Sequence, residues 1–441
     1  MQYYLKTIAL TAILLISSHY SSGQNRWSLQ QCIEYAWDNN LQIKQQEIAR
    51  DQEKNNLSQS KLVYLPSVNA SVGHNFNWGR SVDMQELVII ENKLSQATSA
   101  SLSASVPVFN GLSNYYNLKS SQIQLSVANL NIDKLKNDIS IAITKAYLQL
   151  LLSKQIHSNA LLSYESIVSQ KEKTEKMVNA GSQPYSTLLE IEAQVASERV
   201  QVVNAQGQVS SNTLSLIQLL DLPYNSDFDI VTPDLESVFT GEITTSVEEL
   251  YNEARELPQI KSAEYALDNS KIMLSMAKGA LYPSISLSAG YGTFYSDAAE
   301  GAFKQQFSDN RNPSIGIGLR IPIFNGYQAA TKVKNARLSV RNSEIALKTI
   351  HQDMMKEIQA AVVEAETCFE RGNAARQNKK AMEESFRMAE QKYESGAVTS
   401  TDYIISKTNM LKAQSEYYQA YFQYVFQLKI LDFYKGIPIK L

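Results

Sequence analysis

Hydrophobic positions along this chain follow two periods, and each half of the chain uses both in the same order. From Ser67 to Trp78 the period is two. Val68, Ala70, Val72, His74, Phe76 and Trp78 share one face, and Ser67, Asn69, Ser71 and Gly73 share the other. Ala100, Leu102, Ala104, Val106 and Val108 alternate in the same way with Ser99, Ser101, Ser103 and Ser105. This spacing predicts strands over about 67–78 and 98–108, separated by a polar segment from Gly79 to Thr98. In the second half, Ile285, Leu287, Ala289 and Tyr291 mark a strand over about 284–295. Ile315, Ile317, Leu319, Ile321 and Ile323 mark another over 313–323, after a polar loop around Ser296–Asn312. Apolar faces of this length, opposite hydroxyl and glycine faces, fit strands that cross a bilayer at a tilt. On alternation alone, a pair of hairpins in a soluble sandwich would fit as well.

The rest of the chain is helical in period. Leu29, Cys32, Ile33 and Ala36 predict a helix from Ser28, a good N-cap, to Tyr64, ended by Pro66. No proline interrupts the stretch from Gly111 to Gly181, which as a helix would run roughly 105 Å. Leu118, Leu125, Ile132 and Ile139 recur every seven positions, as do Val333, Val340, Leu347 and Met354, accompanied by Ser343, Ile350 and Glu357. A seam of this period predicts supercoiled, closely packed helices, with an ordinary amphipathic bundle as the plainer alternative. Return helices are expected at Ser186–Leu220 and Ser400–Tyr434.

These patterns describe a tandem duplication. Val106-Pro107-Val108-Phe109-Asn110-Gly111 returns as Ile321-Pro322-Ile323-Phe324-Asn325-Gly326, 215 positions later, and the same interval separates Gly181 from Gly396. Upstream, Pro66 is answered by Pro283, 217 positions on. The expected organisation is a first repeat at 24–222 with a helical hairpin at 112–220, a linker at 223–245, and a second repeat at 246–441 with a hairpin at 327–434. Each repeat reads helix, two strands, long helix, return helix.

Residues 1–23 carry Lys6, an apolar run from Ile8 to Ile16 and a small-residue end, the pattern of a secretory signal peptide cleaved between Gly23 and Gln24. Beyond it no apolar stretch approaches the ~18 residues of a membrane helix, so an exported chain of this kind enters a membrane only as strands. Net charge is −3 with 19% charged residues, which argues against nucleic-acid binding. Cys32 and Cys368 sit at non-equivalent places in the two halves and read as buried small hydrophobes rather than a disulfide. The mature histidines His74, His157 and His351 lack a second ligand at metal spacing, so neither a metal site, a cofactor nor a histidine-based triad is expected. Gly316 and Gly318 lie in a strand and do not form a phosphate loop.

Four strands cannot close a barrel, and an open edge is not tolerated in lipid, so the strands demand a barrel shared among chains. Long helices leaving one rim of that barrel would form a duct. A periplasmic coiled-coil scaffold without channel activity is the alternative from another class, and an outer-membrane enzyme a third, disfavoured by the missing catalytic constellation.

With its two repeats and the Val106–Gly111 signature at the strand-to-helix junction, the chain resembles the TolC family of outer-membrane efflux proteins over essentially its whole mature length. The resemblance implies a mainly α fold with a transmembrane β-barrel. It implies a homotrimer sharing twelve strands, set in outer-membrane lipid, with a periplasmic α-helical tunnel. It also implies docking of a periplasmic adaptor protein and an inner-membrane pump at the tunnel tip. The junction residues would be Pro107, Asn110, Gly111, Pro322, Asn325 and Gly326. The family's tip motif, an aromatic three before a glycine and an aspartate six after it, is matched by Tyr393, Gly396 and Asp402. In the first repeat Gly181 is kept, with Val178 and Thr187 at the other two places. Some relatives carry an arginine and a second aspartate that here are Val398 and Ile405. Asp402 would then supply a single carboxylate ring at the aperture, or else simply cap the return helix.

Overall fold

The computed structural model describes residues 26–82, 89–223, 228–232 and 245–441. The signal segment with Gly23 and Gln24, and most of the linker, lie outside the described residues. The elements run α1 (Leu29–Asn39), α2 (Leu41–Leu62), β1 (Ser67–Val82), β2 (Ile89–Asn110), α3 (Ser113–Asn179), α4 (Tyr185–Leu219), α5 (Val247–Ala254), α6 (Pro258–Gly279), β3 (Ser284–Ser296), α7 (Phe303–Asp309), β4 (Asn312–Arg320), α8 (Gln328–Glu394) and α9 (Ser400–Tyr434). They gather into two compact units. One holds the strands with the helix segments of Gln46–Asn131 and Gln259–Ile350; the other holds the described residues of Met1–Gln45, Ile132–Pro258 and His351–Leu441.

The first helix is not continuous to Tyr64 as its periodicity suggests. Ser28 and Gln31 form a reciprocal capping box at the start of α1, and the chain leaves the helix at Asn40, with ψ 128°. Asn40 Oδ1 then accepts from the amides of Gln42 and Ile43 at 2.9 and 3.4 Å, restarting the helix as α2. An asparagine side chain that satisfies the backbone locally competes with the helical ladder, and that competition sets the break. In the second half α6 opens on Pro258, whose missing amide is harmless only in a first turn.

All four strands form one antiparallel sheet in the order β1-β2-β3-β4, leaving β1 and β4 as edges. β1 and β2 are longer than the apolar alternation indicates, because Gly79 onward and the polar residues before Thr98 pair with one another down to Val82 and Ile89. The expected polar loop after Ser296 contains α7, whose Gln306 bonds the backbone of Ser296, Ala299 and Gly301. β4 is shorter than expected. It stops at Arg320, so Ile321 and Ile323 lie outside the strand, the latter 94% exposed. In the first repeat the matching residues are paired: Pro107 faces Ser286 and Phe109 faces Ile285, with Val108 bulged between them. Pro322 cannot donate to a ladder, and among the described residues no strand flanks β4 on that side.

Pairing carries the two faces intact across the sheet. Ala104 lies between Val68 and Ala289, and Ala289 beside Ile315, while Ser101 lies between Ser71 and Gly292. Ser71 and Ser101 share a 2.7 Å hydrogen bond on the polar side. On the other side Val72, Trp78 and Ile317 are each more than three-quarters exposed.

Both strand-to-helix junctions bend through two consecutive left-handed residues, Gly111 (φ 65°) with Leu112 (φ 64°), and Gly326 (φ 61°) with Tyr327 (φ 63°). Asn110 Oδ1 accepts from the Asn114 amide and Asn325 Oδ1 from the Ala329 amide, capping α3 and α8. Bulky residues avoid the left-handed region, so Leu112 and Tyr327 hold it only because strand and capped helix fix both ends. The two glycines differ in surroundings. A Cβ on Gly111 would lie 2.0 Å from the carbonyl oxygen of Gly279, whereas one on Gly326 meets nothing within 4 Å.

The long helices α3 and α8 are 67 residues each. Along α8 the shielded positions are Val333, Val340, Leu347 and Met354, with Ser343 and Ile350 between them. Glu357 departs from the expectation. It is exposed, and Ile358 is buried in its place, followed by Ala361, Ala365 and Cys368. A step of four where three would continue the repeat is a stutter, which locally unwinds a supercoil. Cys32 and Cys368 are both free and buried in one apolar cluster with Ile143, Tyr147, Leu216 and Val425. Burial pushes the Cys32 thiol up to about 12 and that of Cys368 to about 11. Tyr147 donates to the carbonyls of Trp27 and Val231, and Asp229 pairs with Arg26 and Lys154. Together they tie the chain before α1 to the described end of the linker.

The tight glycine pair gives a direct expectation. Gly111→Ala must push backbone away from backbone as well as hold an unfavourable φ, while Gly326→Ala bears only the conformational cost of about 1 kcal/mol. The former is expected to lower the thermal midpoint of the detergent-extracted protein by clearly more than the latter, measured by loss of heat-modifiable mobility on gels.

Candidate functional site

The hairpin turns between α3 and α4 and between α8 and α9 are built alike. Gly181 donates to the Val178 carbonyl and Ser182 to that of Met177. Gly396 likewise donates to Tyr393 and Ala397 to Lys392. This double bond with a left-handed glycine, φ 73° in both, closes the long helices and requires the missing side chain. After the turn the two copies diverge. Pro184 precedes α4 without a side-chain cap. Thr399 and Asp402 form a reciprocal capping box at α9, with Thr399 Oγ1 to Asp402 Oδ2 at 2.7 Å. Those bonds from the Thr399 hydroxyl and amide hold the exposed Asp402 carboxyl below its usual range. The helix-capping reading of Asp402 is thus present, and its charge still faces solvent.

Tyr393 does not point outward. It is 8% exposed and stacks on Tyr403 at 4.9 Å, within a cluster completed by Ile167 and Ile191. Its hydroxyl has no hydrogen-bond partner. Desolvation raises the Tyr403 phenol to about 12, with Glu390 adding to the effect. Val398 packs against the same cluster, so the residue standing where some relatives carry an arginine is apolar packing.

One turn further on lie two charged residues that periodicity in the sequence could have flagged. Tyr403, Lys407, Met410, Gln414, Tyr417, Tyr421 and Tyr424 are spaced alternately by four and three along the inner side of α9, and Lys407 occupies one of those positions. Glu198 occupies the corresponding kind of position on α4, between Ile191 and Ala205. Lys407 is 3% exposed and donates to the Ser163 carbonyl at 3.1 Å; Glu198 is 7% exposed and accepts from Gln194. Beside them a cavity of about 490 Å³ is lined by polar residues such as Asn159, Ser163, Gln194 and Glu198 and by the apolar Ile156 and Leu411. Ser400 donates to Glu190, joining α9 to α4 at the turn. Among the described residues no cluster of acidic, histidine and cysteine side chains could hold a metal, and no helix is long and apolar enough to cross a membrane.

The model of the family described as outer membrane efflux protein matches residues 32–221 and 250–434. The chain is similar to outer membrane protein TolC of Escherichia coli strain K12, 20% identical over 428 residues, covering 96% of this chain and 84% of that protein. It is similar to TolC of Vibrio cholerae at 19% identity, covering 74% and 71%. In structure it resembles the Campylobacter jejuni CmeC outer membrane channel with a TM-score of 0.77 at 16% identity, covering 95% and 87%.

Burial lowers the Lys407 ammonium below its ordinary 10.5, against the opposing pull of Glu198 and Glu390. Between the lowered value and 10.5 the unfolded chain binds more protons than the folded one, so stability rises with pH across that window. The slope reaches at most about 1.4 kcal/mol per pH unit. Lys407→Met is expected to remove this alkaline gain, read as a smaller difference in denaturation midpoint between pH 7 and pH 10 than the parent protein shows.

Proposed function

Because the chain belongs to the outer membrane efflux protein family, we propose that it is the passive outer-membrane exit duct of a tripartite export system. In this reading three copies share one barrel, and a periplasmic adaptor and an inner-membrane pump engage the hairpin turns at Gly181 and Gly396. The chain is an outer-membrane transport protein and not an enzyme. One observation supports the finer reading above the rest: a four-stranded sheet whose apolar face is exposed and whose two edges are open. Unpaired backbone groups cost several kcal/mol each in hydrocarbon, so this sheet enters lipid only when copies close one another's edges. The face opposite the apolar one carries serine, asparagine and glycine, which suits a wet lumen. Helices of 67 residues, at 1.5 Å per residue, supply roughly 100 Å of conduit wall. Driving force comes from the pump, and the tip opens by rearrangement of the helix pairs around the two glycines.

Two measurements test this. The detergent-extracted protein should scatter light as three chains and conduct ions in planar bilayers. A monomer, or protein released from membranes by alkali alone, would favour the periplasmic scaffold. For the aperture we propose Asp402 as an exposed carboxylate ring. Asp402→Asn keeps an oxygen for the capping box while removing the charge, and should shift the reversal potential toward lower cation selectivity. Thr399→Ala breaks the cap and keeps the charge, and should leave selectivity as it was. Equal reversal potentials in all three proteins would place Asp402 outside the conduction path.

A further inference from the structure

The chain's own repeat fixes how one copy meets the next. Resting on the shared-barrel reading above, we infer that β4 of one subunit pairs with β1 of the partner subunit in a single register. That register sets Ser314 opposite Asn77 of the partner subunit and Arg320 opposite Ser71 of the partner subunit.

The template is inside the sheet. Elements before each first strand recur 217 positions apart: α2 and α6 are both 22 residues long and end at Leu62 and Gly279, and β1 and β3 start at Ser67 and Ser284. Elements after each second strand recur 215 apart, with the same left-handed pair at Gly111–Leu112 and Gly326–Tyr327. The β1–β2 seam tests whether register obeys these intervals. Ser67 pairs with Ser105, and the intervals carry this pair to Ser284 with Arg320, which is the observed β3–β4 pair. At the other end Asn75 pairs with Ala97, and the intervals give Gly292 with Asn312, again observed.

The remaining seam type is β2–β3, and its counterpart can form only between copies, from β4 to β1. Ser99 pairs with Phe294 and Ser105 with Ser288. The intervals carry these to Ser314 with Asn77 and to Arg320 with Ser71. The same operation takes the bulge at Val108 to Ile323. It sets Phe324 against Val68 of the partner subunit, and so gives a paired place to residues that are exposed beyond the end of β4 in one chain.

Face chemistry agrees independently. In this register Ile315 neighbours Phe76 and Leu319 neighbours Val72, apolar beside apolar, while Gly316 neighbours Asn75 and Gly318 neighbours Gly73. A slip of one residue would put isoleucines among asparagines and serines. Slips of two keep the faces matched, and these the repeat intervals exclude.

Cysteine pairs on the polar face read the register. In full-length protein in outer membranes, Asn77→Cys with Ser314→Cys should form intersubunit disulfides on oxidation with copper phenanthroline. Non-reducing gels should then show dimer and trimer bands that collapse with reductant. Ser71→Cys with Arg320→Cys reports the same register at the other end of the seam, should the first variant assemble poorly. The two-residue slips, Asn75→Cys with Ser314→Cys and Asn77→Cys with Gly316→Cys, should cross-link at least several-fold less. A slipped pair that cross-links as well or better overturns the register. If neither matched pair cross-links, light scattering of the same protein separates the causes. Three chains without a bond overturn this register alone, and a single chain overturns the shared barrel and the register with it.

Discussion

An amide in hydrocarbon must find a carbonyl, and most of this structure follows from that demand on four strands too few to satisfy it. The sheet solves the problem internally at three seams and leaves it open at two edges. On one face the exposed side chains beside those edges are Val72, Phe76, Ile315 and Ile317, so lipid packed there offers the edges no partner. The hydrophobic faces and the open edges are therefore one constraint. In the proposed shared barrel the first brings the sheet into lipid, and the second requires a partner edge.

The junctions pass each repeat from its second strand into its long helix. A strand that ends at the membrane boundary must hand its direction to a helix within two residues. Here it does so through a glycine and a second residue forced left-handed. Leucine and tyrosine at such φ store strain of order 1–3 kcal/mol. Asn110 and Asn325 offset part of it by capping the helix that follows. Asp221 shows the same economy at the end of α4. It is left-handed at φ 52°, its backbone amide donates to the Gln218 carbonyl at the end of α4, and its carboxylate accepts from the Leu41 amide at the start of α2.

Much of this was legible in the sequence, for identifiable reasons. Alternation in β1 to β4 is strict because each face meets a single environment, so Val68 to Trp78 and the serines of β2 could be read directly. Strand length was not legible, because the residues before Thr98 that join the ladder show no alternation in the sequence. The break at Asn40 was hidden by a helical pattern that resumes in phase within two residues. At the tip, Gly181 and Gly396 were readable because a left-handed closing residue leaves few choices. Tyr393 and Asp402 were picked out by resemblance, and the fold gives them local tasks, a buried stack and a capping box, that a motif cannot convey. The polar seam positions Glu198 and Lys407 were overlooked although their spacing was present, since a charge in a heptad is easily taken for a solvated face.

Those two buried charges bear on how a hairpin pair can be both stable and movable. An apolar seam packs with little preference among neighbouring registers, because sliding by one heptad exchanges one leucine-sized residue for another. A lysine and a glutamate in the same layer remove that freedom, since any slide would strand each of them against apolar side chains at a cost of several kcal/mol. Beside them a cavity opens and Asn159 Nδ2 and Ser163 Oγ have no protein partners, whereas Tyr421 and Tyr424 further along α9 are buried in the apolar cluster. The same layer therefore combines a device that fixes helix register with polar atoms that the hairpin itself does not satisfy.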